Sequence, residues 1–401
     1  MTEGACILGI ETSCDETAAS VVEWRAGAPR VRSNVVSTQH ELHERYAGVV
    51  PELASRAHLE RIVPVVREAL AQAGCAPAQL AAVAVGNRPG LIGSLLVGNA
   101  AAKAYAWSLG VPVLGVDHVA AHLVAGLLGA PAPQWPALGL VVSGGHTHLF
   151  AMQDPLRAQL LGRTIDDAIG EAFDKAATIL ELGYPGGPRV DATSDGGDPR
   201  AVAFPQPHLT ERSTRRATTG AGTDGHARPA SAAAAAPATD PALDFSFSGM
   251  KTALLYAVRG VPAVPGRPAP APPEPLTPQR VRDLCASFQH AAVAQVLRGL
   301  ARACDQLATD PARAPRTLLV GGGVSANRHL RAQLQALAAE RGLDLRLPPL
   351  AYCLDNAAMI AALAHWRLAA GERDPWTLAP SARSTLGAAG AAGALGAPTA
   401  G

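Results

Sequence analysis

The sequence feature that most restricts the fold is a pattern that occurs twice, once near the start of each half of the chain. An apolar run, a polar turn and a second apolar run follow one another at 7–10, 11–17 and 18–22, and again at 138–142, 143–147 and 149–152. Short apolar runs on either side of a polar turn are typical of β-hairpins. Two such hairpins predict a duplicated architecture whose turns face one cleft.

The remainder of the sequence alternates between strand patterns and helix patterns. Helical spacing of apolar residues is found in 53–73, 165–179 and 284–307, and a last helix is predicted from Asp355. Strand-like runs at 81–85, 111–116 and 317–320 are each followed by a helical stretch. Strands that alternate with helices predict an α/β fold.

The 401 residues, of which 48% are hydrophobic, are enough for two lobes that each bury a core. We expect a first RNase H-like lobe at 1–136, completed by a C-terminal helix at about 355–386, and a second lobe at 137–354. Stretches 206–242 and 260–279 are rich in small residues and proline, which predicts flexible insertions in the second lobe. The Ala/Gly-rich residues 387–401 predict a disordered tail.

Charge and cysteine usage restrict the partners and the compartment. The net charge is +1, so RNA would have to bind through a local basic patch or with help from a partner. No secretory signal is recognised at the N-terminus, and no apolar run reaches the roughly 18 residues that span a bilayer. The six cysteines form no CxxC pair, which favours reduced thiols in the cytoplasm.

A pair of histidines is the first candidate for chemistry. His118 and His122 are four residues apart, so on a helix they share one face and can bind one metal ion. Asp355 is a plausible third ligand, and His146 and His148 compete for the role. Two imidazoles and one carboxylate would suit Fe²⁺ or Zn²⁺. The alternative reading is that these are surface or capping histidines.

Three Gly-rich turns, at 86–90, 143–147 and 321–327, follow predicted strands. Such turns expose backbone N–H groups to a phosphate, although most turns of this kind bind nothing. Together they favour a nucleotide cleft.

The acidic hairpin turn at 11–17 offers Glu11, Ser13 and Asp15 for holding phosphate, magnesium or a lysine. The alternative reading is a solvated hairpin tip. Asp174 and Lys175 leave a similar choice open between an exposed ion pair and a ligand-facing carboxylate.

Ten motifs together carry a family resemblance. They are GIETSCDET (9–17), GVVPELASRAH (48–58), PGLIGSLLVG (89–98), DHVAAH (117–122), VVSGGHTHL (141–149), IGEAFDKAA (169–177), YPGGP (184–188), LDFSFSGMKTA (243–253), GGGVSANRHLR (321–331) and CLDNAAMIA (353–361). In this order, from about residue 6 to 370, the chain resembles the bacterial tRNA N6-adenosine threonylcarbamoyltransferase family, formerly described as glycoproteases.

The resemblance implies a two-lobed actin/Hsp70/sugar-kinase-like α/β fold with a nucleotide cleft between the lobes. It also implies an acyltransferase that moves a threonylcarbamoyl group from threonylcarbamoyl-AMP to N6 of adenosine 37, in tRNAs that read codons beginning with A. The implied partners are tRNA, a paralogous partner subunit (TsaB-like), an ATPase (TsaE-like) and the threonylcarbamoyl-AMP synthase, with no membrane and a cytoplasmic location.

Site residues follow from the matching motifs. The implied ligands of one divalent metal ion per subunit, Fe²⁺ before Zn²⁺, are His118, His122 and Asp355. The implied substrate-binding residues are Val141, Val142, Ser143, Gly144, Gly145, Asp174, Gly187 and Asn327, with Asp191 as a further contact. No residue is identified as the general base, and Glu11, Ser13 and Asp15 remain candidate cleft residues.

One departure and three rival functions need to be considered. Arg88 stands where the family has glycine, which leaves open either a loss of close ligand approach or a new phosphate contact. A zinc metallopeptidase would need HExxH, but Val119, Ala120 and Ala121 separate the two histidines here. A kinase-like ATP-binding module would not need the histidine pair and Asp355 together, and a non-enzymatic scaffold would need no metal.

Overall fold

In the computed structural model, residues 3–46, 48–206, 239–262 and 272–386 are described. Their strands are β1 Cys6–Glu11, β2 Glu16–Arg25, β3 Ala28–Thr38, β4 Leu80–Arg88, β5 Val113–Asp117, β6 Ala137–Val142, β7 Thr147–Asp154, β8 Arg157–Arg163, β9 Thr317–Gly321 and β10 Asp344–Arg346. Their α-helices are α1 His40–His43, α2 Pro51–Ala73, α3 Ile92–Leu109, α4 His118–Val124, α5 Ile169–Ile179, α6 Gly186–Thr193, α7 Ser248–Arg259, α8 Pro278–Ala308, α9 Arg328–Arg341 and α10 Ala357–Ala369.

The strands form two five-stranded sheets with the same topology. The first has the order β3-β2-β1-β4-β5 and the second, read from the other edge, the order β8-β7-β6-β9-β10. In each sheet the first three strands along the chain pair antiparallel, and the last two add in parallel. The predicted α/β class and the predicted hairpin in each half are therefore confirmed.

Strand β1 shows how the first sheet is covered on both faces. All six of its residues are buried. Because side chains alternate between the two faces of a strand, Leu8 and Ile10 pack with residues of α2 and α3, whereas Ile7 packs with residues of α10. A Cβ at Gly9 would collide with the carbonyl oxygen of Ala357, so this glycine allows α10 to approach the sheet closely.

Helices α4 and α10 lie where the two sheets meet. A single buried apolar cluster contains Leu123 of α4, Met359 of α10 and residues of both sheets, including Ile7 and Phe150. Helix α4 contacts β5 of the first sheet and β6 and β9 of the second. The short α4, with its two histidines, is thus held by packing from both sheets.

Several element bounds differ from those predicted. Strand β4 continues through Arg88, so the predicted turn at 86–90 starts only at Pro89. Helix α8 begins at Pro278 rather than at 284, because Thr277 caps it and Pro278 fits its first turn.

The largest of these differences concerns the last helix. It covers Ala357–Ala369, not 355–386, because Asn356 caps its start and the chain leaves the helix before Gly371, where φ is 81°. The domain bounds at 136 and 354 stay predictions.

Parts of the sequence-based expectations lie outside the described residues. These are most of the predicted insertions, at 207–238 and 263–271, and the tail at 387–401. Within the described ranges, no helix combines the length and apolar character needed to cross a membrane.

Candidate metal centre and substrate cleft

The two histidines lie one turn apart on α4, and Asp117 fixes where that helix starts. One carboxylate oxygen of Asp117 accepts hydrogen bonds from the N–H groups of Val119 at 3.0 Å and Ala120 at 3.3 Å. This N-cap satisfies two of the free N–H groups at the start of the helix. The rings of His118 and His122 are 4.6 Å apart at an angle of 84°, so both present a nitrogen to the same point.

Asp355, 233 residues further along the chain than His122, completes a group of three donors. Its Oδ1 lies 3.3 Å from Nε2 of His118 and 3.2 Å from Nε2 of His122. Metal–ligand bonds of about 2.0–2.2 Å place neighbouring donors of a tetrahedral or octahedral ion roughly 3.0–3.5 Å apart. The three donors therefore fit one ion, and both histidines are buried.

Glu11, at the end of β1, orients the first of these histidines. Its Oε2 lies 3.0 Å from Nδ1 of His118, and its Oε1 accepts a hydrogen bond from the N–H of Ser13 at 2.5 Å. Because Glu11 accepts a hydrogen bond from Nδ1, the ring nitrogen of His118 that can bind a metal on losing its proton is Nε2, the atom that faces Asp355. The sequence predicted Glu11 only as a cleft residue, and the structure gives it this specific contact.

The fully buried Glu11 carboxylate needs space that only glycine leaves on the next strand. A Cβ at Gly86 would collide with Oε2 of Glu11. Glycine at 86 therefore leaves room for the Glu11 carboxylate beside β4, and the carboxylate can contact His118.

The pKa values of the three donors follow from burial and from their mutual charges. Burial lowers the pKa of His118, but the carboxylates of Asp355 and Glu11 more than offset it, so the pKa is raised well above its ordinary value. Burial raises the pKa of Asp355, and His118 and His122 more than reverse this, so the carboxyl is ionised at neutral pH. Burial and the charge of His118 lower the pKa of His122, which favours the neutral imidazole that binds metals.

The competing histidines are not arranged as a ligand set. The rings of His146 and His148 are 5.2 Å apart, but neither belongs to a group of three metal-binding side chains in the described part of the chain. Burial, followed by the charges of neighbouring groups, lowers the pKa of His146 to about 3 and that of His148 to about 4. The donor geometry therefore favours the set of His118, His122 and Asp355.

The Gly-rich turn after β6 is exposed at its two glycines. Val141 and Val142 are buried strand residues, whereas Gly144 and Gly145 are exposed, with no atom near the position of a Cβ. The turn is closed by two hydrogen bonds between Ser143 and His146, at 2.8 and 3.1 Å. Exposed glycines on a closed turn can present backbone N–H groups to an anionic ligand.

Asp174 acts as an acceptor at the start of α6. Its Oδ1 accepts a hydrogen bond from the N–H of Gly186 at 2.8 Å, and burial raises the pKa of this carboxyl. Lys175 forms ion pairs with Asp167 at 2.6 Å and Glu171 at 2.9 Å. The sequence left open an ion pair between Asp174 and Lys175, and the structure does not show this pair.

The remaining predicted substrate residues also have partners within the chain. Asp191 of α6 binds the guanidinium of Arg328 at 2.9 Å. Asn327 caps α9 through the N–H of Leu330 at 2.8 Å and donates to Gln289 at 2.6 Å. Gly187 lies in the first turn of α6. Their contacts with substrate remain predictions.

Arg88 points toward the C-terminal segment rather than standing free at a turn. Its guanidinium donates to Oδ1 of Asn87 and to Oγ1 of Thr385, both at 3.3 Å. One residue earlier, Oγ of Ser384 donates to Oδ2 of Asp117 at 2.6 Å. The sequence offered no sign of this contact, because a lone serine near a chain end carries no local pattern.

Comparison with known proteins identifies the family of this chain. The sequence model of one family, described as tRNA N6-adenosine threonylcarbamoyltransferase, matches residues 30–362. A protein of that name from Symbiobacterium thermophilum is 44% identical over 373 residues, which cover 93% of this chain and 94% of the relative. Another from Anaeromyxobacter dehalogenans is 45% identical over 370 residues, which cover 92% and 95%.

A solved structure, HypF of T. kodakarensis, is similar with a TM-score of 0.52 and 12% identity over 92% of this chain and 48% of that one. This likeness concerns the fold alone, and it confirms the predicted actin/Hsp70/sugar-kinase-like α/β class. The match of the family model and the identity to full-length relatives settle the family. The chain belongs to the tRNA N6-adenosine threonylcarbamoyltransferase family, and it is a tRNA-modifying enzyme with that transferase activity.

Proposed function

We propose that this enzyme transfers the threonylcarbamoyl group from threonylcarbamoyl-AMP to N6 of adenosine 37, in tRNAs that read codons beginning with A, and so forms t6A37. The observation that carries the proposal is the convergence of His118, His122 and Asp355 on one point, with donor distances of 3.2–3.3 Å. A kinase-like module or a scaffold does not need this set.

The donor set fits one divalent ion per subunit, Fe²⁺ by preference and Zn²⁺ as the alternative. When bound, such an ion supplies Lewis-acid polarisation to the carbonyl of the threonylcarbamoyl group. Glu11 accepts a hydrogen bond from Nδ1 of His118, and Asp117 caps the helix on which both histidines lie.

The other predicted cleft residues would bind and orient the adenylate. The backbone N–H groups of the exposed Gly144 and Gly145 suit its phosphate, while Asp174 on α5 and Asn327 at the N-cap of α9 offer polar side chains. In the reaction, the N6 amine attacks the carbamoyl carbon, the bond from that carbon to the phosphate oxygen breaks, and AMP leaves. The amine loses one proton, and we assign no general base for it.

The proposed partners are tRNA, a paralogous partner subunit (TsaB-like), an ATPase (TsaE-like) and the threonylcarbamoyl-AMP synthase as supplier, all in the cytoplasm. An apolar face on α2 and α3 supports the partner subunit. Leu59 and Val63 of α2 and Ile92 and Leu96 of α3 are exposed, and the two helices pack side by side. An exposed apolar patch of this kind is typical of a protein interface.

The test is mass spectrometry of tRNA nucleosides from cells depleted of this protein and complemented with variants. We expect threonylcarbamoyladenosine to disappear on depletion and to return with the wild type, but not with His118→Ala/His122→Ala. The exposed His290 provides the control, since His290→Ala should restore the nucleoside. If the nucleoside persists without the protein, the proposal is wrong.

A further inference from the structure

A second group of metal-binding side chains lies beside the metal centre but shares no residue with it. Asp15 and Glu16, at the β1–β2 turn, and His40, at the start of α1, have ligand atoms that all lie within 4.8 Å of one another. Both carboxylates are buried, with Asp15 6% and Glu16 7% exposed.

Within the described ranges, no lysine or arginine forms an ion pair with either carboxylate. Nε2 of His40 lies 3.7 Å from Oε1 of Glu16, and this is the one ion pair of the group among the described residues. Asp15 accepts no N–H hydrogen bond and has no ion pair in the same part of the chain, although it is more than nine-tenths buried. Two adjacent buried carboxylates are costly unless a cation or a shared proton compensates them.

The pKa of Glu16 reflects this shortage of positive charge. Burial raises it, the bond with His40 lowers it, and the charges of Asp355 and Asp15 raise it again, to about 8. The ring of Tyr184, just before α6, meets the ring of His40 edge-on at 6.1 Å. The group therefore lies where the first hairpin turn faces the segment between α5 and α6, which comes between β8 and β9 in the chain.

We propose that Asp15, Glu16 and His40 form a second divalent-cation site, with two carboxylates and one imidazole as ligands. This donor set suits an ion that accepts both oxygen and nitrogen, such as Mn²⁺. Its role rests on the proposed function: the carboxylates of Asp15 and Asp355 would repel an adenylate phosphate bound near the metal centre, and a bound cation offsets that repulsion.

The experiment counts bound Mn²⁺ by electron paramagnetic resonance of the free ion, with full-length protein first stripped by a chelator. The variant His118→Ala/His122→Ala, which removes the first centre, should still bind Mn²⁺. Adding Asp15→Asn/Glu16→Gln to that background should abolish binding. Neutralising an exposed carboxylate instead, with Glu52→Gln, should leave binding unchanged.

Because the double replacement in the turn can disturb folding, His40→Ala provides an independent test of the site at a half-exposed residue. We expect it to raise the Kd for Mn²⁺ by about tenfold or more in the same background. Absence of Mn²⁺ binding in the His118→Ala/His122→Ala protein would overturn the proposal and indicate a shared proton between the carboxylates. The count involves no tRNA, so its outcome is separate from that of the nucleoside assay.

Discussion

Ser384 is predicted to stabilise the metal-binding helix from the far end of the chain. Its hydroxyl donates to Oδ2 of Asp117 at 2.6 Å, while Oδ1 of the same carboxylate caps α4. Asp117 is 7% exposed, and burial raises the pKa of its carboxyl. Removing the serine donor leaves one oxygen of a buried acceptor without its partner.

The size of the effect follows from this geometry. A hydrogen bond to a charged group contributes about 1.5–3 kcal/mol. Ser384 is half-buried, so water replaces part of the lost bond. We therefore expect Ser384→Ala to lower the free energy of unfolding by about 1–2 kcal/mol. Because Asp117 positions the helix that carries both histidines, the change should also weaken divalent-metal affinity at His118, His122 and Asp355 by about tenfold.

The assay is urea unfolding of the purified protein together with chelator competition for the bound metal. Ser381→Ala is the matched control, because Ser381 lies in the same segment and its hydroxyl donates to the carbonyl of Arg383, not to Asp117. We expect the control to change the free energy of unfolding by less than about 0.5 kcal/mol. Equal values for the two variants in both measurements would refute the reasoning.

Three further predictions concern single positions. Gly86→Ala should push the carboxylate of Glu11 away and reduce the free energy of unfolding by about 1–3 kcal/mol in urea titrations, unlike Gly48→Ala, where a Cβ meets no atom. Burial lowers the pKa of His365 to about 4, so the unfolded chain takes up its proton first as the pH falls, and stability is lost between pH 6.5 and about 4. His365→Gln should therefore lose about 2 kcal/mol less than the wild type in unfolding free energy between pH 7 and pH 5, and parallel profiles would contradict this. Burial and the adjoining carboxylate of Asp15 raise the pKa of Cys14. Iodoacetamide at pH 8 should therefore label this thiol in urea but not in the native protein. Rapid labelling of Cys14 in the native protein would contradict this prediction.

The sequence by itself determined the local structure. Apolar runs on either side of a polar turn were enough to place both hairpins, because short apolar runs favour buried strands and the polar turn between them lets the chain reverse direction. The spacing of His118 and His122 was enough to place both on one helical face, because four residues complete about one turn. Where local signals were weak or competing, as at the end of α10 near Gly371, the predicted bounds were wrong.

Only the tertiary structure decided which distant residues meet. Asp355 reaches His122 because α10 packs on β1, a contact that depends on Gly9 and on the order of the strands. The contact of Ser384 with Asp117 depends in the same way on how distant segments of the chain pack together. The grouping of His40 with the first hairpin turn does so too. No local pattern encodes such contacts, because they follow from how whole sheets and helices bury their apolar faces against one another.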